Sequence, residues 1–452
     1  MTQGKLAVVV LAAGLGTRMK SKLPKVMHAV AGRPMIAHLL ATVAALAPER
    51  VAVVIGPGMD EVAACVAPHA TVVQEERLGT GHAVSCARDA LRGFDGDVLV
   101  LYGDTPLITA ETLHRMLAMR RTAPYPAVVV LGFRPDDAGE YGRLVVGEHN
   151  SLELIVEHRD ATPAQRALPL CNSGVMCIDG ARLVGLLDRI GNDNAKSEYY
   201  LTDIVALARA DGLPCGFVEG AADELVGVNS RLELAAAERI LQDRLRRHAM
   251  AEGATLQDPG SVFFSADTVL GRDVVVGPNV VFGPGVTVGD DVEIRAFCHI
   301  EGTTIASGAT IGPFARLRPG AEIGENAHIG NFVEIKNSKV ENGAKVNHLT
   351  YVGDARVGAK ANIGAGTITC NYDGFTKSLT DIGAGAFIGS NSALVAPVKI
   401  GDGAVIGAGS VIVRDVAPGA LAVARGTQME LSGWVEKFRA RKEAEKAVKK
   451  KG

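Results

Sequence analysis

Leu270-Gly-Arg-Asp-Val-Val-Val276-Gly-Pro-Asn-Val-Val-Phe282-Gly-Pro-Gly-Val-Thr-Val288-Gly-Asp-Asp-Val-Glu-Ile294 places an aliphatic or aromatic residue at every sixth position. The spacing continues to Ile300 and, after a one-residue slip, through Ile305, Ile311, Leu317, Ile323, Ile329 and Ile335. Further slips lead to Val340, Val346 and Val352, then to Val357 and Ile363. Residues 371–378 read as an inserted loop, after which Ile382, Ile388, Leu394, Ile400, Ile406 and Ile412 restore the period. A period of six fits neither the 3.6 residues of an α-helix nor the heptad of a coiled coil. It fits a triangular prism. Each hexapeptide is one short strand plus a turn, three close a coil, and each aliphatic stacks inward on the coil below. Glycine after the aliphatic, as at Gly277 and Gly401, eases the turns.

The remainder of the chain agrees with a fold of tight turns and small layers. The whole chain has 452 residues, 53 of them glycine, and only 4% are aromatic. The length suits two or three domains. A net charge of −3 gives no general attraction to nucleic acid or to an anionic membrane. The apolar run from Leu6 to Leu11 is too short for a secretory signal, and no stretch approaches the roughly 20 apolar residues of a membrane span. Seven scattered cysteines, none in metal-ligand spacing, read as reduced thiols of a cytoplasmic protein.

Upstream of the repeat the pattern changes. Strands are expected over residues 7–11, 51–55, 71–74, 98–102 and 127–133, with helical patterns between several of them. That alternation predicts an α/β domain over residues 1–228 with a mainly parallel sheet, which binds ligands at the carboxyl ends of its strands. Ser230-Arg-Leu-Glu233 has the form of a capping box, and Leu234, Ala237, Leu241 and Leu245 follow at helical spacing. Residues 229–251 are therefore expected as a linker helix, and 252–452 as the parallel β-helix with a basic tail. The tail, residues 437–452, holds eight Lys/Arg and reads as solvated and partly disordered; contact with a phosphate-bearing ligand or an acidic partner is the alternative.

Two stretches carry the chemistry. Leu11-Ala-Ala-Gly14, then Leu-Gly-Thr-Arg18-Met19 and Leu23-Pro-Lys25, directly follow the first strand. Small residues let backbone N–H groups approach a nucleotide, and Arg18 and Lys25 can neutralise phosphate. This pattern resembles the signature of sugar-1-phosphate nucleotidyltransferases, which implies a Rossmann-like domain. The resemblance extends to Gln74 and Leu78-Gly79-Thr80, which match a uracil-contacting segment, and to Tyr102-Gly103-Asp104 at a strand end. It implies that Asp104 and Asn229 bind Mg²⁺, and that segments containing Gly142, Glu157 and Asn172 hold an acetamido sugar. Arg18, Lys25 and the metal would then stabilise in-line attack of the sugar phosphate on UTP.

The second stretch decorates the repeat with polar residues, from Arg318 and Lys336 through His348 and Tyr351 to the string 362–373. An amine acyl transfer needs a base near neutral pH, and His348 is the candidate. These segments resemble the bacterial bifunctional family that joins glucosamine-1-phosphate N-acetyltransferase to N-acetylglucosamine-1-phosphate uridylyltransferase, and the resemblance spans essentially the whole chain. It implies a left-handed β-helix, as in other hexapeptide-repeat proteins, and a homotrimer with no membrane insertion. It also implies phosphate binding by Arg318 and Lys336, and orientation of the sugar or of the tetrahedral intermediate by Tyr351, Asn362, Asn371 and Tyr372. Ala365, Ser390, Ala408 and Arg425 match acetyl-CoA contacts, with Asn371 and Tyr372 beside them. The product would feed cell-wall and surface-glycan synthesis. Two rivals remain: a different sugar or nucleotide, or a prism that only trimerises.

Overall fold

The computed structural model describes residues 4–449 and comprises two compact units. One is built on the chain up to Ala251 with Phe263–Asp267, the other on Glu252–Val262 and the chain from Thr268 onward.

In the first unit the strands Leu6–Leu11, Arg50–Ile55, Ala70–Val73, Asp97–Tyr102 and Val128–Phe133 stand where alternating β-branched runs predict them. Across the sheet the order is Cys215–Glu219, Val128–Phe133, Cys171–Asp179, Asp97–Tyr102, Leu6–Leu11, Arg50–Ile55, Ala70–Val73. Cys171–Asp179 is antiparallel to both of its neighbours. Both faces are covered: Ala7 and Val9 join one apolar cluster, Val8 and Val10 the other. That doubly buried environment is why these strands are almost uninterruptedly aliphatic. Leu11 pairs with Tyr102 at the carboxyl ends of adjacent strands, so the two loops that follow leave the sheet side by side.

The linker helix runs over Arg231–Ala251. Its expected capping box is half formed. Ser230 Oγ accepts from Glu233 N at 3.4 Å, but the Glu233 carboxylate accepts from the N–H of Asn229 rather than that of Ser230. Five residues expected in the prism, Phe263–Asp267, return to the first unit. Gln242 draws them in, donating to Phe264 O at 2.6 Å and accepting from Phe264 N at 2.8 Å.

The second unit is a left-handed parallel β-helix of three sheets, with ten, eight and eight strands. Ile294, Ile311, Ile329, Val346, Ile363, Ile388 and Ile406 lie one above another in register. All are fully buried. The slips at Ile305, Val340 and Val357 all fall on the last residue of a strand in the same eight-stranded sheet, and the insertion precedes Ile382 of that sheet. One corner of the prism therefore absorbs every change in the spacing of the repeat. Where the inward aliphatic is missing, Thr369 takes its place, its hydroxyl bonded to Gly353 N at 2.8 Å and Gly353 O at 3.1 Å.

The tail differs from expectation. Trp434–Lys449 is helical, favoured by its Ala, Glu, Lys and Arg content and by pairs such as Lys442 to Glu445 at 2.7 Å. The rest of the basic run, residues 450–452, lies outside the described residues. Among the described residues no helix is long and apolar enough to cross a membrane.

Candidate active sites

Leu11, Ala12, Ala13, Gly14, Lys25, Gln74, Gly79, Thr80, Tyr102 and Asp104 line one cavity of about 260 Å³ in the first unit. At its floor Lys25 Nζ donates to Asp104 and, at 3.0 Å, to Asn229 Oδ1. One ammonium thus joins the two residues expected to share a metal. Gly16 holds Lys25 in place. Its φ is +62°, and a Cβ there would come within 2.6 Å of Lys25 Cβ. Gly103 is buried behind the cavity. Arg18 stands exposed on the short helical turn Thr17–Met19, with no ion pair among the described residues.

Gly142, Glu157 and Asn172 gather beside Tyr102. Asn172 N donates to Gly142 O at 2.9 Å, and a Cβ on Gly142 would lie 3.6 Å from Glu157 Oε2. Gly174, at φ +88°, leaves room for the Tyr102 ring, which a Cβ would approach to 2.7 Å. Burial, with the charges of Glu157 and Asp104, pushes the Tyr102 phenol up, against a hydrogen bond to Thr80. Burial also raises the Glu157 carboxyl above its ordinary value, against a hydrogen bond from Thr202. Arg143 turns away from the site: its Nε donates to Arg166 O at 3.2 Å.

Four cavity residues escaped the sequence reading, the apolar Val26 and Ala83 and the charged Arg77 and Glu198. Arg77 Nε donates to Ala13 O at 2.8 Å and so braces the glycine-rich loop. No motif marks it.

In the second unit Asn331 and His348 are register partners, and His348 Nδ1 lies 2.6 Å from Asn331 Oδ1. A carboxamide oxygen only accepts, so the neutral ring carries its proton on Nδ1 and leaves the Nε2 lone pair free. Along the same prism corner, Gly366 N donates to His348 O at 3.2 Å, Asn391 N to Ala365 O at 2.8 Å and Gly409 N to Ser390 O at 2.8 Å. Arg425 Nη1 donates to Ala408 O at 2.7 Å. His348, Ala365, Ser390, Ala408 and Arg425 therefore form one column. Asn362 lies in register with Lys345 of the His348 strand.

Around the corner, Arg318 pairs with Glu334 at 2.7 Å, and Glu334 is the register partner of Tyr351. The Tyr351 hydroxyl lies over Gly353, whose register partner is Lys336. Lys377, on the insertion, was not singled out from sequence. The adjoining Lys336 ammonium pushes its pKa down. Burial opposes ionisation of Asp354, but donors from Asn337 and Asn371 and the charges of Lys336 and Lys377 hold its carboxyl below the ordinary range. Asn371 thus reaches Asp354, whereas the Tyr372 hydroxyl donates to Gly374 O within its own loop at 2.6 Å while its backbone bridges to Lys377.

Comparison with known proteins matches residues 8–171 to the MobA-like NTP transferase domain. Residues 267–302, 302–337 and 380–414 match the bacterial transferase hexapeptide of six repeats. The chain is 69% identical to bifunctional protein GlmU of Paramagnetospirillum magneticum, over 99% of its own length and 100% of the relative. Bifunctional protein GlmU of Rhodospirillum rubrum is 68% identical over 96% of this chain and 98% of its own. That of Xanthobacter autotrophicus is 58% identical over 97% and 98%. The chain belongs to the GlmU family. GlmU proteins are bifunctional transferases, and this chain carries uridylyltransferase and N-acetyltransferase activities. The NTP transferase match lies in the unit with the Lys25 cavity, and the hexapeptide matches lie in the unit with the His348 column.

Proposed function

We propose that the first unit couples N-acetylglucosamine 1-phosphate to UTP in the cavity floored by Lys25. The convergence of Lys25 on Asp104 and Asn229 carries this reading. A sugar-phosphate oxygen attacks the α-phosphorus of UTP, a new P–O bond forms, and pyrophosphate leaves. Lys25 and Arg18 balance the charge that develops, while Gly142, Glu157 and Asn172 hold the sugar. Gln74, Gly79 and Thr80 meet the base. Asp104 and Asn229 are both oxygen donors within reach of one ammonium, so they address a single cation. Mg²⁺, which takes one or two protein carboxylates plus water and phosphate, fits that set. Asp104 and Asn229 would hold the ion, and bound there it supplies charge neutralisation beside the triphosphate.

The second unit acetylates glucosamine 1-phosphate. His348 Nε2 takes a proton from the amine as its nitrogen attacks the acetyl-CoA thioester carbonyl. The tetrahedral intermediate collapses to the amide and the CoA thiol leaves. Lys336 and Arg318, joined by Lys377, hold the sugar phosphate; Tyr351, Asn362 and Asn371 orient the sugar. Acetyl-CoA lies along Ala365, Ser390 and Ala408, with Arg425 toward its phosphates. The acetylated product is the substrate of the first unit, and the resulting UDP-sugar serves cell-wall synthesis.

The active form is a homotrimer joined through the β-helix. Exposed Phe297, Phe314 and Phe332 support this, stacking at 4.9 and 5.1 Å and leading to exposed Leu349 beside His348. Such an apolar ladder suits cover by a second prism. Seven unpaired thiols suit a reducing cytoplasm.

The test is to supply glucosamine 1-phosphate, acetyl-CoA, UTP and Mg²⁺ and to assay thiol and pyrophosphate separately. Both should appear, and pyrophosphate should require prior acetylation. Pyrophosphate release from unacetylated sugar at an equal rate would contradict the order.

A further inference from the structure

We infer that His82 sets nucleotide specificity by holding the Gln74 carboxamide with its oxygen toward the base. The inference rests on the reading that Gln74 meets the base.

Gln74 is buried and lines the cavity. Its Nε2 faces two groups, Gly79 O at 3.2 Å and His82 Nδ1 at 3.1 Å. A carbonyl oxygen only accepts, so the Gln74 atom turned to Gly79 is the nitrogen. Its second hydrogen then points at His82 Nδ1, which accepts it if the ring carries its proton on Nε2. That Nε2 faces Cys86 Sγ at 4.0 Å, one turn further along the Thr80–Cys86 helix. Burial raises the Cys86 thiol, which keeps it a neutral sulfur partner. Reversing the relay would set Gln74 Oε1 against Gly79 O, two acceptors face to face in a buried site.

Gly79 cannot easily yield. Its φ is +112°, and a Cβ there would come within 2.6 Å of Tyr199 O. Both Gln74 amide hydrogens are thus committed inward. Its Oε1 has no partner among the described residues. The base therefore meets an acceptor. Uracil presents its N3–H to such a group, whereas cytosine presents a lone pair at the same ring position. Gly79 alone would oppose a flipped amide with one hydrogen bond, and His82 adds a second.

The experiment uses the full chain and measures kcat/KM for UTP and for CTP by pyrophosphate release, with acetyl transfer as the control for folding. His82→Phe keeps bulk and removes the acceptor, so the UTP-over-CTP preference should narrow about tenfold. His82→Gln restores an acceptor and should keep the preference within about twofold of the parent. If turnover of either variant is too slow, dissociation constants for the two nucleotides give the same ratio. An unchanged ratio in His82→Phe overturns the inference. Gln74→Leu separates the two layers. A collapsed ratio there with an unchanged one in His82→Phe refutes only the relay. An unchanged ratio in Gln74→Leu refutes the base contact itself.

Discussion

Lys25 donates to Asn229 over 3.0 Å although 204 positions separate the two residues in the chain. The same ammonium pairs with Asp104, and both partners of that ion pair are largely desolvated. Removing one charge from such a pair leaves the other uncompensated. Asp104→Ala should therefore lower pyrophosphate release by about 100-fold or more while leaving thiol release near the parent value. Chelation of divalent cations should have the same one-sided effect. Equal loss of both products from a folded protein would contradict the assignment.

Gly16 couples backbone conformation to that ion pair. Gly16→Ala imposes a left-handed φ on an L-residue, at about 1–2 kcal/mol, and drives its Cβ into Lys25. Thermal unfolding should shift down modestly, and uridylyl transfer should fall by more than the stability change explains. Retained turnover would show that Lys25 tolerates displacement.

Burial of the Glu157 carboxyl costs stability. Burial raises its folded pKa, so between the ordinary glutamate value and the folded one the folded state holds a proton that the unfolded state has released. The ionised carboxylate therefore costs stability, and the cost grows as pH rises from the ordinary glutamate value through the folded one. Glu157→Gln should raise the neutral-pH melting temperature while lowering kcat/KM for the sugar phosphate. The stability gain should vanish in acid, where the parent is protonated in both states. A pH-independent gain would point to packing instead.

Asn331 fixes the His348 tautomer through its 2.6 Å contact. Asn331→Leu keeps the shape and removes the acceptor, so kcat for acetyl transfer should fall about 10–100-fold with little change in KM for glucosamine 1-phosphate. Asn331→Asp should preserve most of the rate. A rise in KM with unchanged kcat would assign Asn331 to sugar binding instead.

The prism was legible because burial repeats at the period of the chain itself: Ile294 to Ile406 stack in register and share one environment. Its phase was less legible. The slips at Ile305 and Val340 look unrelated in sequence, and only closure of the coil puts them at one corner. Lys25, Asp104 and His348 could be named because the motifs around them resemble those of known families. Arg77 and Lys377 could not. One gains its place by bracing Ala13, the other by an insertion that folds back on Lys336. The return of Phe264 to the first unit depends on the side chain of Gln242, which no local pattern reveals.

Two separate sites share this chain. Thiol and pyrophosphate release by His348→Ala test it most directly, with glucosamine 1-phosphate supplied for the first reading and N-acetylglucosamine 1-phosphate for the second. Acetyl transfer should be lost and uridylyl transfer retained at the parent rate. Acetyl transfer that survives the substitution, or loss of both reactions in a folded protein, would contradict it.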